Sequence, residues 1–214
     1  MAKNPQPLIV PDYKYYGSSR SLFSEEIHQQ FRDPYIFKCH LTNQYQLIFS
    51  ATSTNCSSLF RGCIGRATSQ SIEGRYVLSE PLLYPVIGDC NEGAFYEIER
   101  AQIILNGRKY YLLFSAWMHT INPKLLDIYK EFDVTDSSLY CYTSDDLEGP
   151  FVPLKMPIAG SGLTGLYGTN FAQDMDGNWF AYGWYPKTFT FEVSPKFQVI
   201  WDDEVPKILV PSNG

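Results

Sequence analysis

The chain has 214 residues, of which 44% are hydrophobic and 16% aromatic, and this is enough apolar material to bury a core within one domain. Its formal net charge of −6 and the lack of a basic run argue against a nucleic-acid partner, because nucleic-acid affinity depends on clustered Lys and Arg. The five cysteines form no close Cys-x-x-Cys pair, so the sequence predicts neither a zinc site nor a disulfide framework, and we expect no metal and no cofactor.

The amino terminus, Met1–Pro5, has no apolar stretch of the length found in signal peptides. No segment holds the roughly 20 apolar residues that a membrane-spanning helix needs. We therefore expect a cytoplasmic protein with reduced thiols and without a membrane partner.

Residues 1–30 are rich in Pro, Ser and Tyr and have weak periodicity, so we predict an irregular segment with room for one helical turn at Ser24–Gln30. A polar loop, Gly88–Gly93, separates two later groups of apolar and aromatic runs. Asn, Ser and Gly turn signals divide the first group into four predicted strands, near 35–39, 45–52, 61–68 and 76–83.

The second group contains a strong two-residue hairpin signal, Asn106-Gly107, and a long insertion, Met118–Asp136, of a length that is often functional. A fainter third group turns at Asp176-Gly177. The predicted strands are near 101–105, 109–116, 138–144 and 151–156 in the second group, and near 169–174, 178–185, 189–194 and 197–201 in the third. No helix of normal length is predicted, so the expected fold class is all-β.

Two of these groups repeat each other. Tyr45–Ala51 resembles Tyr110–Ala116, and Ile72–Leu78 resembles Leu147–Pro153, at a spacing of roughly 65 to 75 residues. Repeats of this length with several short strands each are typical of a β-propeller. We predict a partial propeller over 31–214 with blades at about 31–87, 94–158 and 165–214.

Three blades are too few to close a ring, since known propellers have at least about four. An open ring leaves unpaired strand edges that favour association. Either the first 30 residues and the carboxy-terminal tail contribute more than their pattern shows, or a second chain, such as another copy in a homo-oligomer, completes the propeller.

An acidic residue beside an arginine opens each repeat, as Arg32-Asp33 and as Glu99-Arg100, with Glu97 two residues before Glu99. Alternation along a strand would place Glu97 and Glu99 on one face, and a propeller would bring the blade openings together around its axis. Clustered carboxylates with arginines suit glycosidic chemistry, because one acid can hold a proton while another stabilises positive charge. On spacing alone, solvated strand-end charges are the commoner explanation.

The many aromatic residues would suit sugar stacking, although aromatic residues are also frequent in strands.

The order of several motifs resembles the bacterial levansucrases and inulosucrases, the fructosyltransferases of glycoside hydrolase family 68. The resemblance covers about residues 31–201 and implies a five-bladed propeller that acts on sucrose or β-fructan with retention. It also makes an extracellular location possible. It is carried by Phe31–Tyr35, Gly62–Ala67, Tyr96–Ala101, Gly107–Phe114, Leu147–Leu154, Gly160–Leu163 and Leu166–Phe171.

The resemblance also implies roles for individual residues. It makes Glu99 the general acid/base and Asp33 the transition-state stabiliser. It assigns contacts with the substrate to Arg32, Glu97, Arg100 and His119, and it gives Tyr167 a contact with either the acid/base or the sugar substrate. For His119 an ordinary loop histidine is as good an interpretation, because its segment departs from the family pattern.

The nucleophile of the family does not match any residue here. In the family it is an aspartate of a first blade far upstream of Arg-Asp-Pro, whereas only about 30 residues precede the motif and Asp12 lies in a different pattern. Three alternatives therefore stay open. The chain could be a non-catalytic sugar-binding propeller, a self-associating module, or a relative of another five-bladed glycosidase family such as the arabinan enzymes or invertases.

Overall fold

The structure is a computed structural model that describes residues 8–20, 24, 27–54, 58–88, 92–132, 134–154, 165–185 and 192–209. Nearly all of its regular structure is antiparallel β-sheet, which confirms the predicted fold class. The strands are β1 (Ser19–Arg20), β2 (Ile27–His28), β3 (Phe31–Lys38), β4 (Tyr45–Thr52), β5 (Gly62–Ser69), β6 (Val77–Leu78), β7 (Val86–Ile87), β8 (Glu92–Gly93), β9 (Glu99–Asn106), β10 (Lys109–Ser115), β11 (Leu139–Ser144), β12 (Val152–Pro153), β13 (Tyr167–Gln173), β14 (Trp179–Trp184), β15 (Phe197–Asp202) and β16 (Val205–Leu209).

Three sheets have four strands each, in the orders β3-β4-β5-β6, β9-β10-β11-β12 and β13-β14-β15-β16. Every strand in them pairs with its neighbour in sequence, which is the up-and-down order of a propeller blade. The chain divides into two compact units, residues 1–97 and 98–214. The first sheet belongs to the first unit, and the other two belong to the second.

The core of the first unit forms around β4, which is buried on both faces. Leu47, Phe49 and Ala51 on one face join the apolar core, whereas the opposite face carries the buried polar residues Gln46, Ser50 and Thr52. Phe49 packs edge-on against Tyr16, with ring centroids 5.3 Å apart. The Tyr16 hydroxyl donates to the Ser79 carbonyl at 2.6 Å and accepts from the Arg66 amide at 3.0 Å, so the segment before residue 30 contributes a fully buried side chain. Burial raises the pKa of Tyr16.

Residues 1–30 were predicted to be irregular, with room for one helical turn at Ser24–Gln30, and the described part of that stretch contains a strand instead. Within it, β2 forms a short antiparallel pair with β1, in which His28 lies opposite Ser19. Strand pairing provides hydrogen-bond partners for backbone groups that would stay unpaired in a single helical turn.

The core of the second unit lies between its two four-stranded sheets. Tyr111 on β10 packs edge-on against Trp201 on β15 with centroids 4.8 Å apart, and Phe171 on β13 is 3% exposed. The buried residues of this core are Ile104, Tyr111, Leu113, Leu139, Cys141, Leu166, Phe171, Ala181, Phe197, Val199 and Ile208.

Two predicted details of this unit differ from the structure. The predicted fourth strand near 197–201 is the third strand, β15, and β16 was missed. The two-residue loop between β9 and β10 is Gly107-Arg108 rather than Asn106-Gly107, because Asn106 pairs with Lys109. The predicted strand near 189–194 and the motif Gly160–Leu163 lie mostly or wholly outside the described residues, and Val193 forms an isolated bridge to Trp184.

The long insertion contains a 3-10 helix, Met118–Thr120, and a single α-helix, α1 (Pro123–Ile128). The Asn122 side chain accepts from the Lys124 amide at 3.0 Å, and Pro123 follows at the first helical position, so the helix begins with a favourable cap. Among the described residues, no helix is both long and apolar enough to cross a bilayer.

Two buried thiols give a pH-dependent stability that can be measured. Burial raises the pKa of Cys63 and of Cys141, which are 0% and 3% exposed. In the unfolded chain the pKa of a cysteine thiol is about 8.5. Above that pH the unfolded state loses protons that the folded state keeps, so the free energy of unfolding should fall as pH rises, by on the order of 1 kcal/mol per thiol at pH 9.5.

The measurement is urea unfolding under reducing conditions at pH 7.5 and pH 9.5. The control is the Cys63→Ala/Cys141→Ala chain, whose stability should depend less on pH over this interval. An equal fall in both chains would contradict the prediction.

Candidate functional site

The first strand of the first sheet carries a bulge at the predicted stabiliser. Arg32 pairs with Ser50 and Tyr35 with Ile48, so two residues of β3 lie opposite one residue of β4. Asp33 sits in this bulge with a φ of 56°, in the left-handed region. Such a conformation costs a non-glycine residue about 1 kcal/mol or more and is often found at functional sites.

The first strand of the second sheet carries the same bulge. Glu99 pairs with Ser115 and Gln102 with Leu113, which again places two residues opposite one. Arg100 follows Glu99 with a φ of 56°.

The third sheet has the bulge as well. Tyr167 pairs with Trp184, the register then shifts, and Gly168 has a φ of 60°. Glycine suits this position for two reasons. It adopts a positive φ at little cost, and an added Cβ would lie only 3.0 Å from Trp184 Nε1 and 3.3 Å from Arg100 Cγ.

These three bulges show which residues of the repeats are equivalent. Arg32, Glu99 and Tyr167 each precede the left-handed residue, and Asp33, Arg100 and Gly168 occupy it. The two acidic residues that open the repeats are therefore at different positions of their bulges, one position apart. Sequence similarity alone had placed the Arg-Asp and Glu-Arg pairs side by side without this offset.

In the first unit, Glu97 is the centre of a charged cluster. Its Oε1 lies 2.5 Å from His28 Nε2 and its Oε2 lies 3.2 Å from Arg32 Nη2, while its side chain is 15% exposed. The His28 ring also stacks on Tyr96, with centroids 6.1 Å apart. The structure thus brings together two predicted site residues, Arg32 and Glu97, and adds His28, which no sequence pattern had indicated.

Asp33 lies next to Arg32 along the chain, and its carboxylate is held by another residue. The buried Ser50 hydroxyl donates to Asp33 Oδ2 at 3.4 Å, and Asp33 is partly exposed. The equivalent serine in the second sheet, Ser115, accepts from the Gly168 amide at 3.1 Å.

Glu97 and Glu99 do not lie on one strand, contrary to the prediction. β9 begins at Glu99, so Glu97 precedes the strand, and strand alternation does not place the two glutamates on one face. Their partners also differ, because Glu97 contacts His28 and Arg32, whereas the carboxylate of Glu99 accepts from Tyr167.

In the second unit, Glu99 borders a cluster of aromatic rings. The Tyr167 hydroxyl donates to Glu99 Oε2, and Tyr167 itself is fully buried. Its ring stacks on Trp117 with centroids 4.3 Å apart and meets Trp184 edge-on at 5.7 Å. Trp117 in turn stacks on His119 at 6.4 Å. One stacked ring and one edge-on ring thus hold the Tyr167 side chain and so orient the carboxylate that its hydroxyl contacts.

Arg100 completes this cluster. Its guanidinium carbon lies 5.8 Å from the centroid of the Trp184 ring, within the range of a cation–π interaction, and the residue is exposed. Four predicted site residues therefore belong to one cluster in this unit, namely Glu99, Arg100, His119 and Tyr167. The sequence analysis missed Trp117 and Trp184, for which a general richness in aromatic residues was the only signal.

Comparison with known proteins identifies the fold. No protein-family profile matches the sequence, and no curated protein matches it either. The solved structures do match. An inulosucrase from Halalkalicoccus jeotgali bound to kestose is 21% identical over 94% of this chain and 54% of its own, with a TM-score of 0.66.

Two levansucrases match in the same way. Levansucrase from Bacillus subtilis is 15% identical over 86% of this chain and 50% of its own, with a TM-score of 0.60. A levansucrase variant solved with sucrose is 15% identical over the same shares, with a TM-score of 0.59. The resemblance noted in the sequence is thus confirmed for the fold, which is that of these propeller enzymes. The chain spans about half the length of the structures that it matches.

Proposed function

We propose that this protein acts on sucrose or a β-fructan and transfers the fructosyl group to water or to another sugar, as a fructosyltransferase or glycosidase. The observation that carries the proposal is the hydrogen bond from the buried Tyr167 to Glu99 at the start of the first strand of its sheet, in a chain with the fold of inulosucrase and levansucrase. The substrate class follows from those neighbours, since one was solved with kestose and another with sucrose.

In the proposed reaction Glu99 is the general acid/base. It donates a proton to the glucosyl oxygen as the glycosidic bond breaks, and it later takes a proton from the water or sugar that attacks. The Tyr167 hydroxyl keeps the carboxyl group in one orientation throughout. General acids contribute most when their geometry is fixed in this way.

Asp33 is proposed to stabilise the oxocarbenium-like transition state with its negative charge. The left-handed backbone and the Ser50 hydrogen bond hold its carboxylate in place. Arg32, Glu97 and Arg100 are proposed to bind sugar hydroxyls, because guanidinium groups and carboxylates supply the donors and acceptors that sugars require.

His119 is proposed to contact the acceptor or glucosyl side of the substrate. Its stacking on Trp117 connects it with the ring cluster that holds Tyr167.

The retaining mechanism also needs a carboxylate nucleophile, and the proposal assigns none of the residues described above to it. Asp12 is exposed, and its Oδ1 accepts from the Lys14 amide at 2.9 Å, as in a local turn. We propose that a second copy or another chain completes the propeller. In that case specific activity should rise with chain concentration.

The test is release of glucose from sucrose by the purified chain, measured over a range of chain concentrations. Glucose release supports the proposal. Calorimetric binding of sucrose without release would instead identify a sugar-binding protein, and the absence of both binding and release would contradict the proposal.

A further inference from the structure

Gln102 makes an unusual pair of hydrogen bonds. Its side chain is buried, with the residue 5% exposed, and both ends of the amide are used. Its Nε2 donates to the Phe171 carbonyl at 2.7 Å, and its Oε1 accepts from the Phe171 amide at 2.7 Å. One side chain therefore contacts both the backbone amide and the backbone carbonyl of one residue on another strand.

The two strands concerned belong to different sheets. Gln102 lies on β9 and Phe171 on β13, which are the first strands of their sheets and share no backbone ladder. A second side chain makes a similar contact, because the buried Ser115 hydroxyl accepts from the Gly168 amide at 3.1 Å. β13 is thus fastened to the preceding sheet at Gly168 and again at Phe171.

The attachment at Gly168 lies within the bulge of β13, and the attachment at Phe171 lies just after it. The register shift lies between Tyr167 and Asn170, and a bulge is a point where a strand can bend. The orientation of Tyr167, just before the bulge, therefore depends on what holds the bulge and the strand that follows it.

We propose that Gln102 is a positioning residue, which together with Ser115 fixes β13 so that the Tyr167 hydroxyl stays on Glu99. The inference rests on the proposed function, since it gives Gln102 a role in catalysis through Tyr167 and Glu99. Glutamine is specifically suited to this role. Asparagine is one methylene shorter, and glutamate lacks the donor that the Phe171 carbonyl needs.

The experiment compares two matched substitutions. Gln102→Met keeps the length of the side chain and removes both hydrogen bonds. Gln46→Met is the control, because Gln46 is 2% exposed on β4 in the first unit and accepts from Arg66 Nε at 3.1 Å. Both variants lose a buried glutamine, but only Gln102→Met frees the main chain of β13.

The first measurement is hydrogen exchange of the 167–173 segment without substrate. We expect exchange in this segment to accelerate about tenfold in Gln102→Met, the factor that corresponds to one lost hydrogen bond, and to stay unchanged in Gln46→Met. Unchanged exchange in Gln102→Met would overturn the inference. This measurement does not depend on activity, so it decides whether Gln102 holds β13 even if the chain cleaves no sucrose and the proposed function fails.

The second measurement is the kinetics of glucose release. We expect kcat to fall about 10- to 100-fold in Gln102→Met with KM within about twofold, because a small displacement of a catalytic group has effects of this size. The same substitution in a Tyr167→Phe chain should lower kcat less than about twofold, since the hydrogen bond that Gln102 supports is already gone. An equal loss in both backgrounds would overturn the positioning role.

Discussion

Replacing Glu99 by glutamine is expected to lower glucose release from sucrose by about 10²- to 10⁴-fold, the contribution usual for a general acid. The amide oxygen of glutamine can still accept from the Tyr167 hydroxyl, so the aromatic cluster should keep its arrangement. What is lost is the proton for the leaving glucosyl oxygen. The measurement is the initial rate of glucose release, with Glu131→Gln as the control because Glu131 is exposed in the same unit.

A second substrate separates acid catalysis from a general loss of activity. β-Fructosyl fluoride has a leaving group that needs little protonation, so the loss caused by Glu99→Gln should be much smaller for bond cleavage in this substrate. Equal losses with sucrose and with the fluoride would contradict the assignment of Glu99 as the proton donor.

The strands with a strong local signal were predicted well. β4 and β10 each contain a short apolar run, Leu47–Phe49 and Tyr110–Phe114, and turn residues flank both strands. Their predicted bounds agree with the structure to within about one residue, well inside the usual error of such boundaries. The third sheet was shifted by one strand. Its last hairpin turns at Asp203 and Glu204, which both have positive φ, whereas the expected signal for such a turn is Asn-Gly or Asp-Gly.

The bulges could not be read from the sequence for a similar reason. Only one of the three left-handed positions is a glycine, and the others are Asp33 and Arg100. A non-glycine residue adopts this conformation only when the surrounding sheet imposes it, so local sequence carries little information about it. The offset between Arg32-Asp33 and Glu99-Arg100 therefore appears only in the strand register.

The contacts of the site were predictable only in part. Glu99, Arg100 and Tyr167 were indicated by the resemblance, and they do share one cluster. His28 and Trp117 are brought to their partners by segments without regular periodicity, one before β3 and one at the start of the insertion. Their roles depend on tertiary packing, which neither residue spacing nor composition specifies.

Replacing Asp33 by asparagine is expected to lower glucose release by about 10²- to 10³-fold, because it removes a fixed negative charge from the transition state. Asparagine is the best choice for this test, since it has the same shape, tolerates the left-handed conformation and can still accept from Ser50.

The thermal midpoint of the Asp33→Asn chain should therefore stay within about 2 °C of the unsubstituted chain. Asp203→Asn is the matched control, because Asp203 has a φ of 45° and lies exposed in the β15–β16 turn. It applies the same chemical change to the same backbone conformation, and it should leave glucose release unchanged. If Asp33→Asn retained full activity, the stabilising charge would have to come from another residue. If it instead lowered the thermal midpoint by much more than the control did, the role of Asp33 would be to maintain the bulge rather than to stabilise the transition state.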